Sequence, residues 1–173
     1  MKVLFMCTAN SCRSILSEAM FNHMAPEGFE AISSGSFPKG EVLPRSLTTL
    51  QAAGISTEGL YSKGNDAFEG SPPDVVITVC DNAAGEACPV YFGAAVKAHW
   101  GLEDPSHVQG DEAQVDAAFK ATLHIIAARC EAFFALPFAS LGSDELKVEL
   151  ERIAPSHIWI VDHSNQHGFL TLR

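Results

Sequence analysis

Apolar positions along the chain switch between two periods. Lys2–Met6 carries an unbroken run, Val3-Leu4-Phe5-Met6, the pattern of a strand buried on both faces. Ser14–Met24 then takes helical spacing, with Ile15, Ala19 and Met20 on one face and Pro26 beyond the end. Phe29–Ser34 reads as a second strand closed by Gly35. Pro44–Ala53 reads as a helix: Pro44 suits its first turn, Leu47 and Leu50 share a face, and Gly54 suits the position after its end. The β-branched run within Asp74–Val79 predicts a buried strand, and Ala95–His99 a weaker fourth. In Asp111–Leu136, Phe119, Leu123, Ile126, Cys130 and Phe133 recur at intervals of four, three, four and three, with Asp111 and Glu112 at the positive end of the helix dipole. Ser143–Ile153 completes the pattern as a last helix.

Strands alternating with helices imply an α/β fold of three layers, a parallel sheet flanked by helices. Its ligand site belongs at the C-terminal ends of the strands. One domain is expected over residues 1–153. Residues 154–173 form a tail to which no function is assigned; His157–Val161 and Phe169–Leu172 are candidates for a hairpin.

Composition narrows the function. With 173 residues, 47% apolar and 18% charged, the chain can bury a core. A net charge of −10 argues against nucleic-acid or anionic-membrane partners, which need a positive surface. It permits a small anion if one pocket is locally positive. Asn10, Ser11 and Arg13 interrupt the first apolar run before an export core forms, so a cytoplasmic protein is expected. Five cysteines, an odd count, argue against a structural disulfide framework, and no Cys-X-X-Cys spacing suggests zinc. Cys130 sits on the apolar stripe of its helix and reads as core.

The chemistry concentrates after the first strand, in Cys7-Thr8-Ala9-Asn10-Ser11-Cys12-Arg13-Ser14. A tight strand-to-helix loop points successive N–H groups inward and makes an anion nest backed by the helix dipole. Arg13 adds a planar fork for an oxyanion. Residues 8–14 are therefore the candidate substrate-binding loop and Cys7 the nucleophile, its thiolate favoured by the same field. Ser11 and Ser14 offer hydroxyls to the thiolate or the anion. Cys12 is read first as packing behind the nest. A nucleophile needs an acid for its leaving group, and Asp104-Pro105, past the fourth strand, supplies the candidate, with Glu103 as runner-up.

Cys7 through Ser14 together with Asp104-Pro105 resemble the low-molecular-weight tyrosine phosphatase superfamily. That resemblance covers roughly Lys2 to Ile153 and implies a four-stranded parallel sheet of order 2-1-3-4. A second feature distinguishes branches of the superfamily. The third strand leads into Cys80, then Asp81-Asn82-Ala83-Ala84-Gly85-Glu86-Ala87 and Cys88-Pro89. A phosphatase has no use for two more thiols here, whereas reduction of arsenate to arsenite takes two electrons, which a thiol pair supplies. Val79-Cys80-Asp81, Cys88-Pro89 and His99-Trp100-Gly101, added to the first motif, resemble the arsenate reductases of the superfamily.

The resemblance implies a relay. Cys7 attacks arsenic, Asp104 protonates the departing oxygen, Cys80 attacks the Cys7 sulfur and expels arsenite, and Cys88 resolves the Cys7–Cys80 disulfide. It implies no tightly bound cofactor, with reducing equivalents from thioredoxin or from glutaredoxin and glutathione. The expected partners are arsenate, phosphate or sulfate as competing anions, and one of those reductants; a monomer is expected. In some relatives a potassium ion lies behind the nucleophile loop. Glu18 matches one ligand position, but the later stretch reads Leu60-Tyr61-Ser62-Lys63, where a lysine replaces the cation's charge, so no metal is expected. Two other readings remain open: a phosphotyrosine phosphatase, disfavoured because Ser106 stands where an aromatic residue commonly follows Asp-Pro, and a non-catalytic oxyanion or redox sensor.

Overall fold

The computed structural model describes residues 1–80 and 92–155. The expected tail hairpin and Cys88 lie outside the described residues. The elements run β1 (Lys2–Cys7), α1 (Arg13–Met24), β2 (Glu30–Gly35), α2 (Pro44–Ala52), β3 (Val75–Thr78), β4 (Val96–His99), α3 (Glu112–Phe134) and α4 (Ser143–Ile153). All four strands are parallel, in the order β2-β1-β3-β4. Lys2 pairs with Glu30, Val3 with Val75, and Val75 with Val96, so the C-terminal ends of the strands share one edge. The expected α/β fold and strand order are those observed.

Each predicted strand and helix is present, with ends that move by one or two residues. Asp111 explains one such end. Its carboxylate accepts from the Gln114 N–H while the Gln114 side chain accepts from the Asp111 N–H, so Asp111 caps α3 from outside the helix. One expectation needs correcting in kind. The sequence suggests one buried face for α1, yet every residue from Ser14 to Phe21 is buried. The helix is wedged between the sheet and α3, and its polar positions Ser14, Ser17 and Glu18 are covered by the nucleophile loop and its supports.

The core on this side is aromatic. Phe5 packs edge-on to Phe21, Phe21 on Phe133, and Trp100 against Phe5 and Phe133. Trp100 is buried, and its indole N–H donates to the Leu150 carbonyl. Burying that polar tip without a partner would be unfavourable, so the end of β4 is fastened to α4.

Candidate active site

The loop from Cys7 to Ser14 leaves β1 at the C-terminal edge of the sheet. Its carbonyls face outward. Those of Cys7, Thr8, Ala9 and Ser11 accept from the backbone N–H groups of Ser36, Phe37, Lys39 and Leu43, at 2.8–3.2 Å. The Ser62 hydroxyl also donates to the Ala9 carbonyl. With these carbonyls turned away, the Asn10 N–H is directed at the Cys7 sulfur, the orientation an anion nest uses. Asn10 takes a left-handed backbone, φ 45°, which lets the chain fold back on itself there. Gly35 permits the close approach of β2: a Cβ on it would stand 2.5 Å from the Thr8 carbonyl and 2.9 Å from the Asn10 nitrogen.

Two groups contact the Cys7 sulfur. The Asn10 N–H donates to it at 3.1 Å, and the Ser14 hydroxyl lies 2.9 Å away. Behind them runs a buried polar chain. The Asn10 amide donates to the hydroxyls of Ser14 and Ser33, each at 2.9 Å, and its oxygen accepts from the Lys63 N–H. The Ser33 hydroxyl in turn donates to the Glu18 carboxylate, which the Lys63 ammonium approaches at 3.2 Å. Lys63 and Glu18 thus form a buried ion pair. The Lys63 ammonium also donates to the Tyr61 carbonyl and lies 4.4 Å from the Tyr61 ring centroid.

Arg13 and Asp104 meet directly. Arg13 donates to the Leu102 carbonyl at 3.1 Å and to the Asp104 carboxylate at 2.8 Å. The Ser106 N–H and hydroxyl donate to the other carboxylate oxygen. Burial pushes the Asp104 carboxyl up, but the Ser106 hydroxyl, Arg13 and the Ser106 N–H outweigh it and hold it below the ordinary carboxylate range. Glu103, the runner-up for the acid, is exposed and has no such contacts in the described structure.

Cys80 follows β3 and is buried beside the nucleophile loop. The pairing of Met6 with Thr78 continues through the Val79 N–H to the Met6 carbonyl, which sets Cys80 level with Thr8 on the neighbouring strand. The Thr8 hydroxyl touches the Cys80 sulfur at 3.6 Å. Cys7, Cys12, Cys80 and Cys130 are all free thiols. Cys12 is packed beneath the loop, where burial, partly offset by the Ser46 hydroxyl, pushes its thiol up to about 12. Burial alone pushes Cys130 up to about 12.

Ser33, Gly35 and Ser46 support the loop yet were not marked as functional from the sequence. Only Gly35 left a trace, a glycine at a strand end, where close backbone approach is common.

Residues 2–148 match the low molecular weight phosphotyrosine protein phosphatase family. The chain belongs to that family. Within the family, it is 30% identical over 131 residues to an arsenate reductase from Bacillus licheniformis, covering 76% of this chain and 93% of that protein. A solved arsenate reductase in a phosphate-binding state superposes with a TM-score of 0.64 at 27% identity, covering 78% of this chain and 96% of the other. A thioredoxin-dependent arsenate reductase from Corynebacterium glutamicum superposes with a TM-score of 0.58 at 27% identity, covering 77% and 59% of the two chains. Among the described residues no helix is long and apolar enough to cross a membrane, and no cluster of His, Cys, Asp and Glu could hold a metal ion.

Proposed function

We propose that the chain reduces arsenate to arsenite with Cys7 as nucleophile. The observation that carries this reading is a second free thiol, Cys80, in contact with Thr8 of the nucleophile loop. A phosphoryl-transfer site does not use it; a two-electron reduction does. The similarity to named arsenate reductases supports the same assignment.

Arsenate binds in the nest over Cys7, with Arg13 as its cationic fork. The Cys7 thiolate attacks arsenic, and Asp104 gives its proton to the oxygen that leaves as water. The enzyme now holds a sulfur–arsenic(V) bond. The Cys80 thiolate attacks the Cys7 sulfur; the S–As electron pair passes to arsenic, which departs as arsenite, and the two thiols become the Cys7–Cys80 disulfide. Cys88 then attacks Cys80, returns Cys7 as thiolate and leaves a Cys80–Cys88 disulfide. A dithiol donor reduces that disulfide. Thioredoxin is the favoured donor because a relative depends on it, with glutaredoxin and glutathione as the alternative. The free thiols of Cys7, Cys12, Cys80 and Cys130 suit a reducing compartment, the cytoplasm.

Arsenite release with thioredoxin or with glutaredoxin and glutathione supplied separately tests the reading. Cys7→Ser should abolish turnover. Cys80→Ser and Cys88→Ser should stop multiple turnover. Full thioredoxin-coupled turnover by Cys88→Ser would refute the relay. Faster hydrolysis of an aryl phosphate than reduction of arsenate would return the protein to the phosphatase reading.

A further inference from the structure

Arg129 reaches from α3 into the core behind the loop that carries Asp104, and only 8% of it is exposed. It donates to the carbonyls of Trp100 at 2.9 Å, Gly101 at 3.2 Å and Ala154 at 2.7 Å. Among the described residues no carboxylate pairs with it, and its Nε is buried without a hydrogen-bond partner. Burial correspondingly lowers its pKa from the usual value. A charge held only by carbonyl dipoles is an unfavourable way to fill space that methionine or leucine would fill more stably. Packing therefore does not account for it. Its consequence is the fixed position of three backbone carbonyls.

Two of those carbonyls lie at the root of the acid loop. The Trp100 and Leu102 N–H groups extend the sheet ladder to Thr78 and Val79. Leu102 and Asp104, farther along, are held by Arg13. The segment is thus gripped at its root by Arg129 and at its tip by Arg13. The grip at the tip is not permanent. Arg13 is the fork that an oxyanion would take, and the anion then competes with Asp104 for it. Asp104 must stay aimed while its partner is withdrawn, and that requires an anchor outside the substrate site.

We propose that Arg129 is that anchor, a positioning residue that fixes the Trp100–Asp104 segment so the carboxyl remains over the Cys7 loop when substrate occupies Arg13. The proposal rests on the reading of Asp104 as the acid. It uses the intact chain, with Arg129→Met, Arg129→Lys, Asp104→Asn and the Arg129→Met/Asp104→Asn pair. The measurements are kcat and KM for arsenate, phosphate affinity by calorimetry, and melting temperature. Arg129→Met should lower kcat by about tenfold to 10²-fold, the scale of a displaced catalytic group, without weakening phosphate binding. Arg129→Lys, which keeps the charge and part of the carbonyl contact, should recover most of that loss. The double variant should be no slower than Asp104→Asn, because Arg129 acts through the carboxyl. Independent, multiplied losses in the double variant would overturn the proposal and leave only a stabilising role. So would a fall in phosphate affinity that parallels kcat. If Asp104→Asn retains full kcat, the acid reading itself fails, and the proposal falls with it. Should Arg129→Met not fold, Arg129→Lys paired with Asp104→Asn makes the same comparison with a smaller expected loss.

Discussion

Arg13 donates to the Asp104 carboxylate at 2.8 Å, so the group proposed to bind the anion and the proposed acid neutralise each other. An incoming oxyanion must part them. The same event strips Asp104 of a cation that keeps it ionised and sets a negative charge beside it. Both changes favour the protonated, proton-giving form.

Replacing Asp104 by Asn should therefore split binding from turnover. Arg13 is freed and a like charge is removed from the nest, so phosphate should bind more tightly. The leaving oxygen loses its proton source, and kcat should fall by ~10²-fold or more. Calorimetry with phosphate and steady-state arsenite release check the two halves. Weaker phosphate binding with unchanged kcat would remove Asp104 from the acid's role.

The same pair sets a pH dependence of stability. Burial works against the ionised Asp104, but Ser106 and Arg13 prevail, and its pKa lies below the ordinary 3.8. A depressed carboxyl contributes stability that is fully present above the unfolded value and is lost as pH falls through the folded one. The difference in melting temperature between the native chain and Asp104→Asn should stay constant from neutral pH down to about pH 5 and narrow only below the ordinary carboxylate range. Melts across that range test it; narrowing near neutral pH would contradict the assignment.

Thiol reactivity should be suppressed where burial raises the thiol's pKa. Cys12 lies within the nucleophile loop, yet burial raises its thiol to about 12, as burial does for Cys130. Iodoacetamide at about pH 8 should leave both unmodified in the folded protein while Cys7 is labelled, with arsenate or phosphate protecting Cys7. Peptide mapping by mass spectrometry reads the sites. Early labelling of Cys12 would show that its side chain faces the anion.

Periodicity made the elements legible because burial of one face or two imposes it directly on the chain. Cys7 and Arg13 were legible because strand, loop and helix are contiguous in sequence. The supports of the site were not. Gly35 matters through a contact with Thr8 and Asn10, and Ser33 through one with Asn10 and Glu18, both made by β2 lying beside β1. For Arg129, only the fold shows the carbonyls it meets. Gly35→Ala gives this a direct test. Its methyl would collide with the Thr8 carbonyl at 2.5 Å, which is backbone and cannot swing aside. Turnover and phosphate affinity should both drop, with secondary structure by circular dichroism retained. Unchanged phosphate affinity would mean that the loop can yield.

Lys63 and Glu18 supply the last expectation. Both are buried, 3.2 Å apart, and joined to the nucleophile through Ser33, Asn10 and Ser14. Removing one partner of a buried pair strands the other charge, at a cost of about 3–5 kcal/mol. Lys63→Met should therefore lower stability by that order, and adding Glu18→Gln should restore much of it, because an amide needs no counter-charge. Turnover should fall in the single variant as Ser33 and Asn10 readjust to the unpaired carboxylate. Because the ammonium already satisfies Glu18, exchanging potassium for sodium at constant ionic strength should leave arsenate turnover of the native chain unchanged. In Lys63→Met the carboxylate is open to a cation, and turnover should become sensitive to that exchange. Potassium dependence in the native chain would mean that Lys63 does not fill the cation's place.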